Sequence, residues 1–570
     1  MNHTLDFRHP YLASQLIAYI GNKRALLPFL SDVFGRIAGD TYKGGVGRGN
    51  ITFLDPFAGS GAVSRLARLM GFSVAANDWE PYSHVINSCH LLTSPAQLEE
   101  LFKPLGGLDT VLQELNELPH PRDMNRYIAR HYAPRATEMA DWRTERLFYT
   151  TENALKIDAI RQRMEEMYPG DSADPAARAR KTVLLASLLY EAATHTNTSG
   201  VFKACHRGFG GHGRDALKRI MAPIRLEPPV LVGSDAFCEV ICQDAVKFLS
   251  GRRADICYLD PPYATHQYGS NYFMLNSIAL WDRPPVSEER GPDGRLVKKA
   301  GIRGDWVRTR SAFCYQSTAL AALREVVQAA DCRYLVVSYN NEGLIALEKL
   351  CDLLSETGSL SVRSTGYVKY PGGKQGLGRR TSNTELVLVV VRGAAPQVRP
   401  VGASQTRRAL QEVALVQLLG RAFNPGRIRS SFSVVPGGIV LSDAGSPRLL
   451  GMRHHWRFTP VTHAPTFGSA DEADRFIQRL AACEVADVKE EIDALAEEIR
   501  TEKDAAERTR LLREELRLFN KLAHQKYARE FAASLEVLRC LAEELGHPRV
   551  LSAGIVRVME KIALRSTRPA

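Results

Sequence analysis

Residues 50–72 read N-I-T-F-L-D-P-F-A-G-S-G-A-V-S-R-L-A-R-L-M-G-F. The apolar run from Ile51 to Leu54 predicts a short buried strand, D-P-F-A-G-S-G a glycine turn, and Val63, Leu66, Ala67 and Met70 one face of a helix. S-V-A-A-N-D at 73–78 reads as a second strand that closes on an acid. Strand, glycine turn, helix and strand form the opening unit of a doubly wound α/β sheet, whose ligands bind beyond the carboxyl ends of the strands. Gly59 and Gly61 would let backbone approach such a ligand, and Asp78 stands where an acid can accept both ribose hydroxyls of an adenosine-containing cofactor. Taken alone, the same residues also suit a plain tight turn.

Outward from this unit the pattern changes. Residues 96 to 234 look mainly helical and polar, with helices predicted in T-T-E-N-A-L-K-I-D-A-I-R-Q-R-M-E-E-M-Y and T-V-L-L-A-S-L-L-Y-E-A-A-T-H, then a glycine-rich basic piece, G-V-F-K-A-C-H-R-G-F-G-G-H-G-R. Strand patterns resume at C-E-V-I-C-Q-D-A, A-D-I-C-Y-L-D-P-P-Y, R-Y-L-V-V-S-Y-N-N and N-T-E-L-V-L-V-V-V. Alternating strands and helices imply a mostly parallel sheet interrupted by one large insertion. Pro, Gly and small polar residues cluster at 392–405 and mark a second boundary. Three regions are expected: a catalytic core of 1–95 plus 235–395, an insertion of 96–234, and an α+β C-terminal domain of 396–570. In the last, F-S-V-V-P-G-G-I-V-L-S-D and M-R-H-H-W-R-F-T-P look like strands. Val488, Ile492, Leu495 and Ile499, then Leu511, Leu512, Leu516, Phe519 and Leu522, recur at helix spacing, as a hairpin packed on its own domain or as a coiled-coil contact with a partner.

At 570 residues two or three domains are expected, and 74 Lys plus Arg against 63 Asp plus Glu leave +11, which suits a polyanionic partner or simply a soluble surface. Ten scattered cysteines, with Cys238 and Cys242 the only close pair, suggest reduced thiols and no metal site. The N-terminal residues lack a signal pattern and no apolar run approaches a membrane span, so the expected location is the cytoplasm and no membrane partner is expected.

Asp260, Pro261, Pro262 and Tyr263 follow the apolar run I-C-Y-L. A carboxylate at a strand end and the carbonyl of Pro261 can both accept hydrogen bonds from one exocyclic amine, which fixes the direction of its lone pair. Tyr263 supplies a π-face for a planar base. A surface turn of the same composition is the bland alternative.

The company of these residues is specific. Y19-I-G-N-K23, D55-P-F-A-G-S-G61, N77-D78, D260-P-P-Y263 and S338-Y-N-N341 occur in the order seen in DNA adenine N6-methyltransferases of the Dam-like, alpha-arranged family. The chain resembles that family over about residues 10–392. The resemblance implies a class I methyltransferase sheet, S-adenosylmethionine as cofactor, and a target-recognition region between Asp78 and D-P-P-Y. It places Tyr19, Gly21 and Lys23 at the methionine end of the cofactor or beside a flipped base, with Asp55, Phe57, Gly59 and Gly61 along the cofactor loop. It places Asp78 at the ribose and Asp244 at the cofactor adenine, although Asp244 also suits a helix cap. Asn22 departs from the family's second glycine. T194-H-T-N-T-S-G-V-F-K-A-C-H-R-G-F-G-G resembles a β-hairpin that enters DNA, which makes Asn197, Lys203, His206, Arg207 and Phe209 candidate contacts to duplex DNA.

The function so implied is methyl transfer to N6 of a flipped adenine, as the modification component of a restriction-modification or phage-defence system. A cognate restriction or defence protein could be held by the C-terminal domain. Methylation of RNA adenine or of cytosine N4, and an inactive DNA-binding scaffold, are the competing readings. No acid, acid-x-lysine cluster flanked by strands suggests a fused nuclease in the last 170 residues.

Overall fold

A computed structural model of the chain describes all residues except 1–4, 44–50, 171, 211–214, 341, 369–381, 394–400, 436, 442–447, 455–456, 459–466, 524–526 and 567–570. Asn341 and residues 394–400 of the expected boundary segment therefore lie outside the described residues. The chain divides into two compact units, residues 1–361 with 386–400, and residues 362–385 with 401–570.

A mostly parallel seven-stranded sheet lies largely in the first unit, residues 362–368 of its last-placed strand and 382–385 of the neighbouring one falling in the second division of the chain. Its strands are β1 (Thr52–Asp55), β2 (Ser73–Asn77), β3 (Cys238–Ile241), β4 (Arg253–Leu259), β5 (Asp331–Asn340), β6 (Ser359–Val368) and β7 (Ser382–Val391), in the order β3-β2-β1-β4-β5-β7-β6. The pairs β3/β2, β2/β1, β1/β4 and β4/β5 are all parallel. From β1 the chain runs outward through β2 and β3, then returns to β4 on the other side of β1. That reversal makes a crevice at the carboxyl ends of β1 and β4, the point where open α/β sheets take their ligands. Leu54 pairs with Cys257, so Asp55 and Asp260 emerge beside the same crevice.

The helix Ala62–Leu69 was expected to bury one face, but every residue from Ala62 to Arg68 is buried. Arg65 and Arg68 on its other side lie under the N-terminal segment. Arg65 donates to the carbonyls of Ser14 and Gln15, both at 3.3 Å, and Arg68 donates to that of His90 at 2.8 Å. These bonds satisfy backbone that the burial removes from water. They also fix the segment that carries Tyr19.

The insertion is helical as expected. Thr150 caps the helix Thr151–Met167, and Asp174 caps Pro175–Thr194, which begins on proline. Both pack with the helices Pro81–Leu92 and Phe273–Leu280 in one apolar core that includes Tyr82, Ile86, Phe148, Ile157, Leu188 and Phe273. The insertion is thus one packed body with the helices that flank the catalytic strands.

The second unit contains a four-stranded antiparallel-paired sheet, β8 (Val434–Val435), β9 (Gly438–Leu441), β10 (Arg448–His454) and β11 (Arg457–Phe458). Its helices Val488–Thr501 and Ala505–Leu522 start at capping aspartates, Asp487 and Asp504, whose side chains accept from the backbone of Glu490 and Glu507. The expected apolar stripe is buried against the further helices Ala528–Glu544 and Arg549–Ser566. This is the self-packed alternative, with two more helices than the hairpin expected from the sequence.

Glu515 lies fully buried in that bundle, and neither carboxylate oxygen has a hydrogen-bond partner. Burial, then the nearby Asp493 and Glu491, push its pKa well above the usual carboxylate range. A raised folded-state pKa means that its contribution is fully present below the unfolded value of about 4.3 and is lost as pH rises toward the folded value. Glu515→Gln should therefore stabilise the protein more at pH 8 than at pH 5, the difference growing by at most about 1.4 kcal/mol per pH unit. Thermal unfolding of both proteins across that range checks this, and parallel curves would reject it.

Candidate active site

One cavity of about 240 Å3 opens at the β1/β4 crevice. It is lined by residues of every early motif: Tyr19, Gly21 and Lys23, the 55–60 loop, Asp78, Asp244, and Asp260 through Tyr263.

The glycine loop is held at Gly59 by Asp78 and Ser83. Asp78 accepts from the N–H of Gly59 at 2.8 Å and of Glu80 at 2.9 Å, while the hydroxyl of Ser83 donates to the Gly59 carbonyl at 2.7 Å. Gly59 and Gly61 both have positive φ, +52° and +81°. A Cβ on Gly59 would sit 2.8 Å from the Tyr19 ring, and one on Gly61 2.5 Å from the Asn87 side-chain oxygen. The loop therefore needs glycine for both conformation and space.

Asp55 is buried at the end of β1. Ser64 donates to one carboxylate oxygen at 2.6 Å, while the other, Oδ1, is buried without a partner. Burial pushes its pKa up to about 7 against the lowering effect of the Ser64 bond. Burial likewise raises the Asp78 carboxyl, opposed by its backbone hydrogen bonds.

The N-terminal loop is clasped by tyrosines. The Ile20 N–H donates to the Tyr272 hydroxyl at 2.7 Å, the Tyr268 hydroxyl donates to the Ile20 carbonyl at 3.0 Å, and Tyr19 stacks on Tyr272 with 5.0 Å between ring centres. Gly21 takes the positive φ of the turn, +77°, with the Tyr263 hydroxyl 3.3 Å from where a Cβ would be. Asn22, the departure from the family pattern, keeps an ordinary φ and accepts the N–H of Arg24 at 2.8 Å. The side chain supplies an acceptor for that N–H where the family has glycine.

Lys23 is 3% exposed, and its ammonium lies 3.0 Å from Asp260. It also donates to the Tyr263 hydroxyl at 3.3 Å and sits 4.9 Å from the centre of that ring. Burial raises the Asp260 pKa and Lys23 opposes it. Tyr263 is held in turn by Tyr339 of β5, edge-on at 5.7 Å, and by the Leu344 N–H, which donates to its carbonyl at 3.1 Å.

Asp244 does cap the helix Ala245–Leu249, accepting from the N–H groups of Val246 and Lys247 through Oδ1 at 3.0 and 3.2 Å, and it also lines the cavity. Phe57 lines the cavity edge-on to Phe313 at 5.5 Å. Phe313 belongs to a wall, Thr309 to Phe313, that carries no recognisable motif and was not expected. The Gln267 amide pins it, donating to the Ser311 carbonyl at 3.0 Å and accepting its N–H at 2.8 Å. Glu80 is a second unforeseen residue of the cavity. Burial raises its pKa to about 7, and Asn276 donates to it at 2.5 Å. Only its position two residues after Asp78 could have pointed to it.

The expected DNA-entering segment needs two corrections. Residues 195–210 form turns and bends with no strand, so there is no β-hairpin. Asn197 is fully buried, its amide donating to the carbonyls of Leu147 at 2.9 Å and Gly208 at 3.2 Å, so it shapes the loop and cannot touch DNA. Lys203 and Arg207 are exposed, and His206 and Phe209 are half-buried. None of the five lines the cavity.

A parallel α/β sheet with a glycine loop at β1 and D-P-P-Y after β4 defines an α/β methyltransferase of the amino-group type. The D12 class of N6 adenine-specific DNA methyltransferases matches residues 19–293. The type II methyltransferase M.NlaIII of Neisseria lactamica is 32% identical over 357 residues, 62% of this chain and 93% of that protein. M.CviAII of Paramecium bursaria Chlorella virus 1 is 29% identical over 61% of this chain and 90% of its own length, and modification methylase LlaI of Lactococcus lactis 28% over 73% and 63%. The chain belongs to the D12 class of N6 adenine-specific DNA methyltransferases. No solved structure matches it. Membership decides against the RNA and cytosine readings.

Gly59→Ala should destabilise the protein by about 1–3 kcal/mol, because the Cβ meets both an unfavourable φ and the Tyr19 ring. Gly39→Ala in the helix Leu27–Lys43, where a Cβ meets nothing within 4 Å, should be neutral or stabilising by up to about 1 kcal/mol. Denaturant titration of the two variants checks the contrast.

Proposed function

We propose that this adenine methyltransferase acts on a flipped adenine in double-stranded DNA, with S-adenosylmethionine as methyl donor, and serves as the modification component of a restriction-modification or related defence system. The observation that carries the chemical part is the Asp260 carboxylate, held by Lys23 in the same cavity as the glycine loop. The modification role is supported by the relatives, which are named as type II methyltransferases or modification methylases. A cytoplasmic location fits, since among the described residues no helix is long and apolar enough to cross a membrane.

The cavity fits the donor. The unpartnered buried Oδ1 of Asp55 is an acceptor suited to an ammonium group, and the glycine loop admits close backbone approach. Asp55, Phe57 and Gly59, with Tyr19 and Gly21, would line it, Gly61 shaping the turn behind them against Asn87; Asp78 would hold the ribose, and Asp244 would meet the adenine amino group. Bound S-adenosylmethionine supplies an electrophilic methyl group.

The chain's own residues do the rest. Tyr263 offers its ring to the target base, with Pro262 stiffening the turn. The Asp260 carboxylate and the Pro261 carbonyl accept the two N6 hydrogens, so the nitrogen lone pair is aimed and its growing positive charge is stabilised. Lys23 favours the ionised form of Asp260 against the effect of its burial. Lys203 and Arg207 contact phosphate, with His206 and Phe209 beside them, and the 96–234 helices form the target-recognition region. The second unit holds none of these residues and is assigned to a cognate restriction or defence protein.

Asp260→Ala should abolish methylation of DNA while leaving cofactor affinity nearly intact; more than a few per cent residual activity would reject the assignment. Lys23→Met should act through pH. Without the ammonium the buried carboxyl titrates higher still, so the acid limb of the rate profile should move to higher pH. A uniform loss at all pH values would deny Lys23 that role.

A further inference from the structure

Trp142 is half-buried in the helical insertion, and three cations from three separate stretches of chain converge on its ring. The Arg207 guanidinium lies 4.5 Å from the ring centre, that of Arg143 5.1 Å, and the Lys299 ammonium 5.4 Å. Arg143, Arg207 and Lys299 are all exposed. Arg207 comes from the loop after the helix Pro175–Thr194, and Lys299 from the long segment between the helix Phe273–Leu280 and the cavity wall.

The convergence is built in. Arg146, 4% exposed, donates to the carbonyls of Ser287 at 2.6 Å, Lys298 at 2.9 Å, Lys299 at 3.2 Å and His131 at 3.2 Å, and so fastens the Lys299 segment against the insertion. A Cβ on Gly301 would come within 2.8 Å of the Arg146 Nε, so the chain passes Arg146 as closely as it can. Arg207 is placed by the Asn197 amide, which holds Gly208.

Charge balance is missing. Asp141 is the acid at hand, 3.7 Å from Arg143, and it already accepts from the Arg143 N–H and the Thr144 hydroxyl. Among the described residues neither Arg207 nor Lys299 has a carboxylate at ion-pair distance. One indole face attracts cations but does not neutralise three of them. A phosphodiester backbone would, and exposed Arg and Lys side chains without fixed partners are the chemistry of backbone contact rather than base reading. The same loop carries Lys203, which is also exposed.

We propose that Trp142, Arg143, Arg207 and Lys299 form a phosphate clamp for the duplex substrate, in which Trp142 spaces the three cations and all sequences are gripped alike. The proposal rests on the reading that the 194–210 loop meets DNA. Its test is the salt dependence of binding a 30-base-pair mixed-sequence duplex by the full chain, for Arg143→Gln/Lys299→Gln and, separately, Lys203→Gln. The double variant should flatten the slope of log K against log salt by about two units, one for each phosphate no longer engaged, with cofactor affinity and melting temperature unchanged. Arg143→Lys/Lys299→Arg should keep the slope. Duplex addition should also change tryptophan fluorescence in the native protein, and less so in Trp142→Phe, a readout independent of the double variant's folding. An unchanged slope in the double variant with a reduced slope for Lys203→Gln overturns the clamp and leaves the loop's DNA contact standing. An unchanged slope in both overturns the two together.

Discussion

The buried pair of Lys23 and Asp260 is the interaction on which the site's architecture turns. Two charges removed from water are costly, and their attraction offsets that cost only at short range with other hydrogen bonds in place. Here the range is 3.0 Å, and Tyr263 takes a further bond from the ammonium. Breaking such a pair strands a charge, at a cost of about 3–5 kcal/mol. The pair therefore joins residue 23, ahead of the first strand, to residue 260, after the fourth. It settles how the N-terminal loop meets the sheet, and with it where Tyr19 and Gly21 lie relative to the glycine loop.

Around that pair the carboxylates are graded by surroundings. Asp55 has one satisfied oxygen and one bare one, and its pKa is pushed to about 7. Asp78 is bonded to backbone on both oxygens, and Asp260 faces a cation. These three of the cavity's acids thus differ in what each still lacks: Asp55 a donor, Asp78 little in the way of rigidity, Asp260 a neutral partner that leaves Lys23 in place. On the proposed function, that division separates the cofactor end of the cavity, at Asp55 and Asp78, from the substrate end, at Asp260.

Much of this was legible because the informative residues break the local rule. Asp55, Asp78 and Asp260 are charged side chains at the ends of apolar strands, and Gly59 and Gly61 interrupt a strand-to-helix passage. Physics gives such exceptions few explanations. The residues that escaped notice obey local rules. β6 was not foreseen because Ser359, Ser361, Arg363 and Ser364 dilute its apolar content, as an edge strand permits. Arg65 and Arg68 read as the solvated face of an amphipathic helix; their burial depends on carbonyls at Ser14, Gln15 and His90 that no local pattern announces. Thr309 to Phe313 and Trp142 have no periodicity, and only long-range contacts bring them to the cavity wall and the cation cluster. Asn197 shows the converse error, a polar residue in a glycine-rich loop that points inward because two backbone carbonyls there, of Leu147 and Gly208, need partners.

The shared core of the insertion and the catalytic helices has a mechanical consequence. Tyr82 and Phe273, which flank the glycine loop and D-P-P-Y in sequence, are packed with Phe148 and Leu188 of the insertion at interior density, where small displacements are resisted. A recognition surface mounted on that core cannot swing freely relative to the cavity. On the proposed function, the distance between a DNA backbone held by the insertion and the base in the cavity is then set by the fold rather than found by a domain motion. Differences in target sequence, on the same proposed function, fall to other exposed side chains of the loops 198–210 and 281–308, with Arg207 and Lys299 kept for backbone contact, while the core side chains beneath hold those loops in place.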